Sequence, residues 1–156
     1  ECDDGNVSGN ESCSATCEII NNLPPESPNG SDEDARVYIN EFVPDPVSGG
    51  SEWIELYSPS DSAIPLTNWT LEDGAGTKTK ITGNNHIGGD NHFFAIAKSS
   101  GSLNNDGDII ILRDANGTIR HQVAYGDWDD GDISDNAPTA PDRYSIARIQ
   151  TATERG

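Results

Sequence analysis

The sequence predicts an all-β fold, a sandwich or barrel of short strands, and three observations carry that expectation. Short apolar runs recur about every 8–12 residues from Arg36 onward, with turn signals between them. No stretch longer than about ten residues shows the 3.6-residue period of a helix. The hydrophobic fraction is 33% of 156 residues, below the about 45–50% usual for globular chains. A core that thin suits two packed sheets better than a deep α/β interior.

Strands are expected, in chain order, over residues 36–43, 51–58, 62–66, 69–72, 77–82, 92–98, 108–113 and 118–125, with a ninth at 143–149. In the second, Trp53 stands among Ile54 and Leu56 and reads as core, while Glu55 keeps the parity of Trp53 and Tyr57. In the fourth, Asn68 and Thr70 take the parity opposite Trp69 and Leu71, which sends them to solvent if those two face the core. Alternation is clearest in the fifth, where Lys78 and Lys80 oppose Thr79 and Ile81. The eighth, "IRHQVAY", puts Ile119, Val123 and Tyr125 on one face. Between the seventh and the eighth, Asn116-Gly117 fits the two positive-φ positions of a type I′ hairpin turn.

Ahead of this region lie residues of another texture. Residues 1–18 hold Cys2, Cys13 and Cys17 among Asp, Gly, Asn and Ser; residues 19–35, "IINNLPPESPNGSDEDA", read as a linker broken by Pro24-Pro25, Pro28 and Asn29-Gly30. The β region runs over 36–150, and 151–156 is a tail. A zinc site wants four soft or nitrogen ligands, whereas "CSATC" offers two, Cys2 a third, and no histidine is near. A disulfide-stabilised knot in an oxidising compartment is therefore expected, covalent closure replacing a core that so few residues cannot build. Three cysteines leave one without an internal partner, and the pairing stays open. Because the chain starts inside this segment, it is expected to be a piece of something longer.

The formal net charge of -18 comes from 27 acidic against 9 basic residues. Such a polyanion repels nucleic acid and anionic lipid, and no run approaches the about 18 apolar residues of a membrane span. Five sequons, at Asn6, Asn10, Asn29, Asn68 and Asn116, exceed the roughly two that this composition yields by chance. They point to a glycoprotein. Asp127, Asp129, Asp130 and Asp132 in "DWDDGDISDN" raise calcium, the one cofactor expected, since loops of Asp and Asn can supply its oxygens. The spacing fits no EF-hand. Trp128, in a loop among these aspartates, is the aromatic expected to face a ligand; Trp69, like Trp53, reads as core.

Catalytic residues are expected to be none. His86, His92 and His121 are scattered, no nucleophile elbow or phosphate loop occurs, and Glu52 with Glu55 makes no dyad at a cleft rim.

Two stretches resemble known families. "ECDDGN…GNESCSATC" resembles the Myxococcus-type cysteine-rich repeat, an extracellular module with one more cysteine upstream; Cys2, Cys13 and Cys17 match its later three. Residues 36–149 resemble the lamin-tail domain in its prokaryotic secreted form, through "VYINEFVPDP", "SEWIELYSPSD", "IPLTNWTLEDGAG", "GDIIILRDANGTIRHQVAYGD" and "YSIARI". That resemblance implies an immunoglobulin-like β-sandwich and a role in interaction or anchoring rather than catalysis.

The expected function is a non-catalytic structural or adhesive module of an extracellular cell-surface or filament protein. Its partners would be other surface proteins or copies of itself, with Ile19, Ile20 and Leu23 packing along a neighbour's sheet edge and the odd thiol linking subunits. The alternative is a calcium-assisted module that binds carbohydrate or protein beside a secreted enzyme. An intracellular scaffold partner fits the cysteines poorly.

Overall fold

In the computed structural model, residues 36–98 and 102–149 are described; they belong to the unit Glu33–Gly156. The knot expected over 1–18, the linker over 19–35 and the tail over 151–156 lie outside them, as do Cys2, Cys13, Cys17, Asn6, Asn10 and Asn29.

The architecture is all-β. Among the described residues ten strands follow one another: β1 (Tyr38–Val43), β2 (Trp53–Tyr57), β3 (Ile64–Pro65), β4 (Thr70–Asp73), β5 (Lys78–Lys80), β6 (His86–Ile87), β7 (Phe93–Ala97), β8 (Gly107–Arg113), β9 (Ile119–Gly126) and β10 (Ile146–Ala147). They form two four-stranded sheets, in the orders β10-β1-β2-β7 and β5-β4-β8-β9, and a short β3-β6 ribbon. Every strand pair is antiparallel. Strands that alternate between apolar and polar side chains must hide one face, and the two sheets hide theirs against each other. Ile39, Phe42, Ile54 and Leu56 from the first sheet meet Leu71, Ile110, Leu112 and Tyr125 from the second. The rings of Phe42 and Tyr125 touch across the interface at 5.0 Å. Each fully buried Leu or Ile contributes about 1.5–3 kcal/mol.

Three expectations are corrected. The β8–β9 corner is no two-residue type I′ turn, because Gly117 has φ +86° while Asn116 is not among the positive-φ residues. The Gly117 N–H closes on the Asp114 carbonyl at 3.0 Å, and the Asp114 N–H on the Thr118 carbonyl at 2.9 Å. This is the longer loop in which a type I turn is followed by a left-handed glycine. Asp114 stabilises it: Oδ1 accepts the Asn116 and Thr118 N–H groups at 2.8 and 3.0 Å. The β4–β5 corner repeats the device with Asp73, Gly76 and Thr77 in the same relative places.

Ile119 does not share a face with Val123 and Tyr125. Leu112 pairs with His121 but Arg113 with Ile119, so Arg120 is the extra residue of a bulge, which reverses the alternation. Ile119 is turned outward beside Arg113, 47% exposed.

Trp53 is half-buried rather than core, since it lies with Glu55 and Tyr57 on the outer face of the first sheet. Trp69 is buried as expected. The sequence also hid β6, two residues between Gly- and Asn-rich turns, paired with β3 through Ile64 and Ile87. Among the described residues no helix is long and apolar enough to cross a membrane.

Candidate functional site

Outer edges decide what a sandwich offers a partner, because an unpaired strand exposes a row of backbone donors and acceptors. β5 closes one edge with Lys78 and Lys80, both exposed. Glu72 on the neighbouring strand collects Arg113 at 2.8 Å and Lys78 at 3.8 Å. The Arg113 hydrogen bond, helped by Lys78, holds the Glu72 carboxyl below its ordinary range.

At the opposite edge, β9 is covered only in part. Ala137 lies beside Tyr125 in a parallel bridge, accepting the Gly126 N–H and donating to the Ala124 carbonyl, each at 2.9 Å. Farther back, toward Ile119, no strand among the described residues covers that side.

There a cleft of about 360 Å³ opens between β9 and the β1–β10 edge of the other sheet. Ile39, Phe42, Val123 and Ile146 make its floor; Asp130 and Arg148 stand at its rim. His121 spans it from β9: Nδ1 accepts the Ile39 N–H at 3.2 Å, and its ring meets Tyr38 edge-on at 5.3 Å. The Arg148 guanidinium covers the same tyrosine, 4.1 Å above the Tyr38 ring. The result is an apolar trough with a charged rim, the form of a site that takes an extended segment.

Among the described residues, no group of three or more His, Cys, Asp or Glu side chains is placed to hold a metal. The aspartates spend their oxygens on neighbouring backbone: Asp129 on the Gly131 N–H, Asp130 on the Asp132 N–H, Asp132 on Ser134. The two Ser134 hydrogen bonds hold the Asp132 carboxyl below its ordinary value. Asp127 is exposed, and its backbone N–H joins the Asp106 carbonyl at 3.1 Å.

Trp128 is half-buried, and its ring lies over Gly74, where any Cβ would run into it. Its carbonyl accepts Asn136 Nδ2 at 2.7 Å. The ring packs against the end of the second sheet.

The two described sequons stand free of the core. Asn68, φ +70°, and Asn116 are exposed. Glu52 and Glu55 lie on opposite faces, Glu52 buried and Glu55 accepting Asn40 Nδ2 at 2.8 Å.

Sequence reasoning missed a group of buried charges at one end of the sandwich: Glu52, Asp73, Lys98 and Asp108. Glu52 takes the Ser102 and Leu103 N–H groups; Asp108 takes those of Gly74, Asn104 and Ile109. The Tyr125 hydroxyl, donating to the Asn104 carbonyl at 2.7 Å, has its pKa pushed well up by burial and by Asp108, Glu52 and Asp73. One signal was present: Glu52 carries the parity of Ile54 and Leu56, and Lys98 ends an apolar run.

A family model described as Lamin Tail Domain matches residues 31–127. No curated protein matches the chain.

Proposed function

The chain belongs to the Lamin Tail Domain family, and on that premise we propose that it is a non-catalytic structural and adhesive module of an extracellular surface or filament protein. It holds an extended segment of a second copy in the cleft beside β9. The observation that carries this reading is the cleft itself: an apolar floor of Ile39, Phe42, Val123 and Ile146 lies next to the incompletely covered edge of β9. An added strand gains main-chain hydrogen bonds from such an edge and side-chain burial from the trough. Ile19, Ile20 and Leu23 supply an apolar segment in a polar stretch.

The extracellular setting rests on the three cysteines close to one another, the five sequons and the net charge of -18. The non-catalytic reading is supported by the separation of Glu52 from Glu55 across β2 and of the histidines along the chain.

Sedimentation of the full oxidised chain over a range of concentrations tests the proposal. The native chain is expected to associate, and Val123→Asp, which charges the cleft floor, to remain monomeric with its far-ultraviolet spectrum intact. A native chain that stays monomeric at every concentration, and on a non-reducing gel, would defeat it.

A further inference from the structure

Lys98 follows β7 in the first sheet, and Asp73 ends β4 in the second. Both side chains are 1% exposed, and Lys98 Nζ lies 3.7 Å from Asp73 Oδ2. Neither atom has a hydrogen-bond partner among the described residues. Their neighbours differ: Glu52 and Asp108 fill their oxygens with backbone N–H groups. Two buried ions whose facing atoms, Nζ and Oδ2, have no hydrogen bond are poorly supported by their mutual attraction alone. A single proton transfer between them gives an amine and a carboxylic acid, the pair that can react with each other.

We propose that Lys98 Nζ and Asp73 Cγ condense to an intramolecular amide, a covalent strut between the two sheets. The ammonium first passes one proton to Oδ2. The amine lone pair then attacks Cγ, the C–N bond forms, and the Cγ–Oδ2 bond breaks. Oδ2 departs as water, carrying the proton it received and a second from Nζ; the third stays as the amide N–H. No oxidant, nucleotide or metal enters the balance.

The surroundings suit this step. Oδ1, which becomes the amide oxygen, already accepts the Thr77 N–H at 2.8 Å. A fixed donor there stabilises the charge that builds on that oxygen when Nζ adds. The Lys98 N–H is tied to the Glu52 carbonyl at 2.8 Å, and the Asp73 N–H to the Thr77 carbonyl at 3.1 Å. Both main chains are thus held while the side chains meet, which replaces a bimolecular encounter by a local one. The inference needs neither a partner nor the cleft, so its fate is separate from that of the proposed function.

Mass spectrometry tests it on the full chain, made in a bacterial cytoplasm, reduced and denatured. The intact mass is expected to fall one water below the sequence mass, and digestion to release a branched peptide joining Lys98 to Asp73. Lys98→Arg keeps the charge but cannot form the bond, and should restore the full mass. Asp73→Asn should form the same amide by losing ammonia. A native chain of full sequence mass would overturn the proposal. So would a water loss that survives Lys98→Arg and maps to a linear Asp73-Gly74 peptide, since cyclisation onto the Gly74 nitrogen also expels water. Should Lys98→Arg fail to fold, the branched peptide of the native chain decides alone.

Discussion

The Glu52 carboxylate accepts the Leu103 N–H at 2.8 Å across 51 residues of sequence, and both residues are buried to within 1%. It also takes the Ser102 N–H at 3.1 Å, so a single side chain on the first sheet secures the segment that leads into β8. Glu52→Gln keeps the shape but replaces one acceptor by a donor facing an N–H. It should cost about 1–3 kcal/mol, read as a lower urea midpoint with an unchanged slope.

The left-handed glycines Gly117 and Gly126, two of several, should respond differently to alanine. At Gly117, φ +86°, a Cβ meets nothing within 4 Å, so Gly117→Ala loses only the backbone preference, about 1–2 kcal/mol. At Gly126, φ +63°, the Cβ runs into the Asp106 carbonyl. Strain and collision add, and Gly126→Ala should cost about 3 kcal/mol or more. Equal losses in thermal unfolding would contradict these placements.

Acid should weaken the fold partly through Asp114. Burial alone would raise its carboxyl, but the Thr118 and Asn116 N–H groups and the Arg120 guanidinium outweigh it and hold the pKa below the ordinary 3.8. The unfolded chain therefore takes up this proton first as pH falls. Its stabilisation is present above the ordinary value and is lost as pH drops through it toward the folded one. Asp114→Asn should lower the melting temperature at neutral pH and flatten its decline between about pH 5 and pH 3.

Alkali acts through Tyr125. Its folded pKa lies well above the ordinary 10.0, through burial first and then Asp108, Glu52 and Asp73. The folded form holds the proton more tightly, so this contribution is complete below the ordinary value and is lost as pH rises past it. Of the four tyrosines, one should ionise only as the protein unfolds. An ultraviolet titration in which all four ionise together, with the fold intact, would exclude this environment.

Much of the fold could be read from residue order, because alternation reports one-sided burial directly. "WIELY" and "TLED" give their inward residues, Ile54, Leu56 and Leu71, without further help. What escaped was set by partners distant in sequence. The bulge at Arg120 depends on the pairing with β8, and nothing within "TIRHQV" announces it. The turn at Asp114 escaped because Asn116-Gly117 supports two loop lengths, and the reach of the Asp114 side chain selected the longer. The meeting of Lys98 with Asp73 depends on two sheets coming together. The cleft was equally hidden, being made by β1, β9 and β10.

The bulge at Arg120 also frees one stretch of chain from the demands of the interior. Beyond it, Ala115 through Ile119 stand clear of the packed layer, while the Arg120 guanidinium braces the loop against Asp114 at 2.9 Å. A foreign peptide grafted after Ala115 would be displayed on a firm stalk, making this corner the natural port for an epitope or a fluorophore.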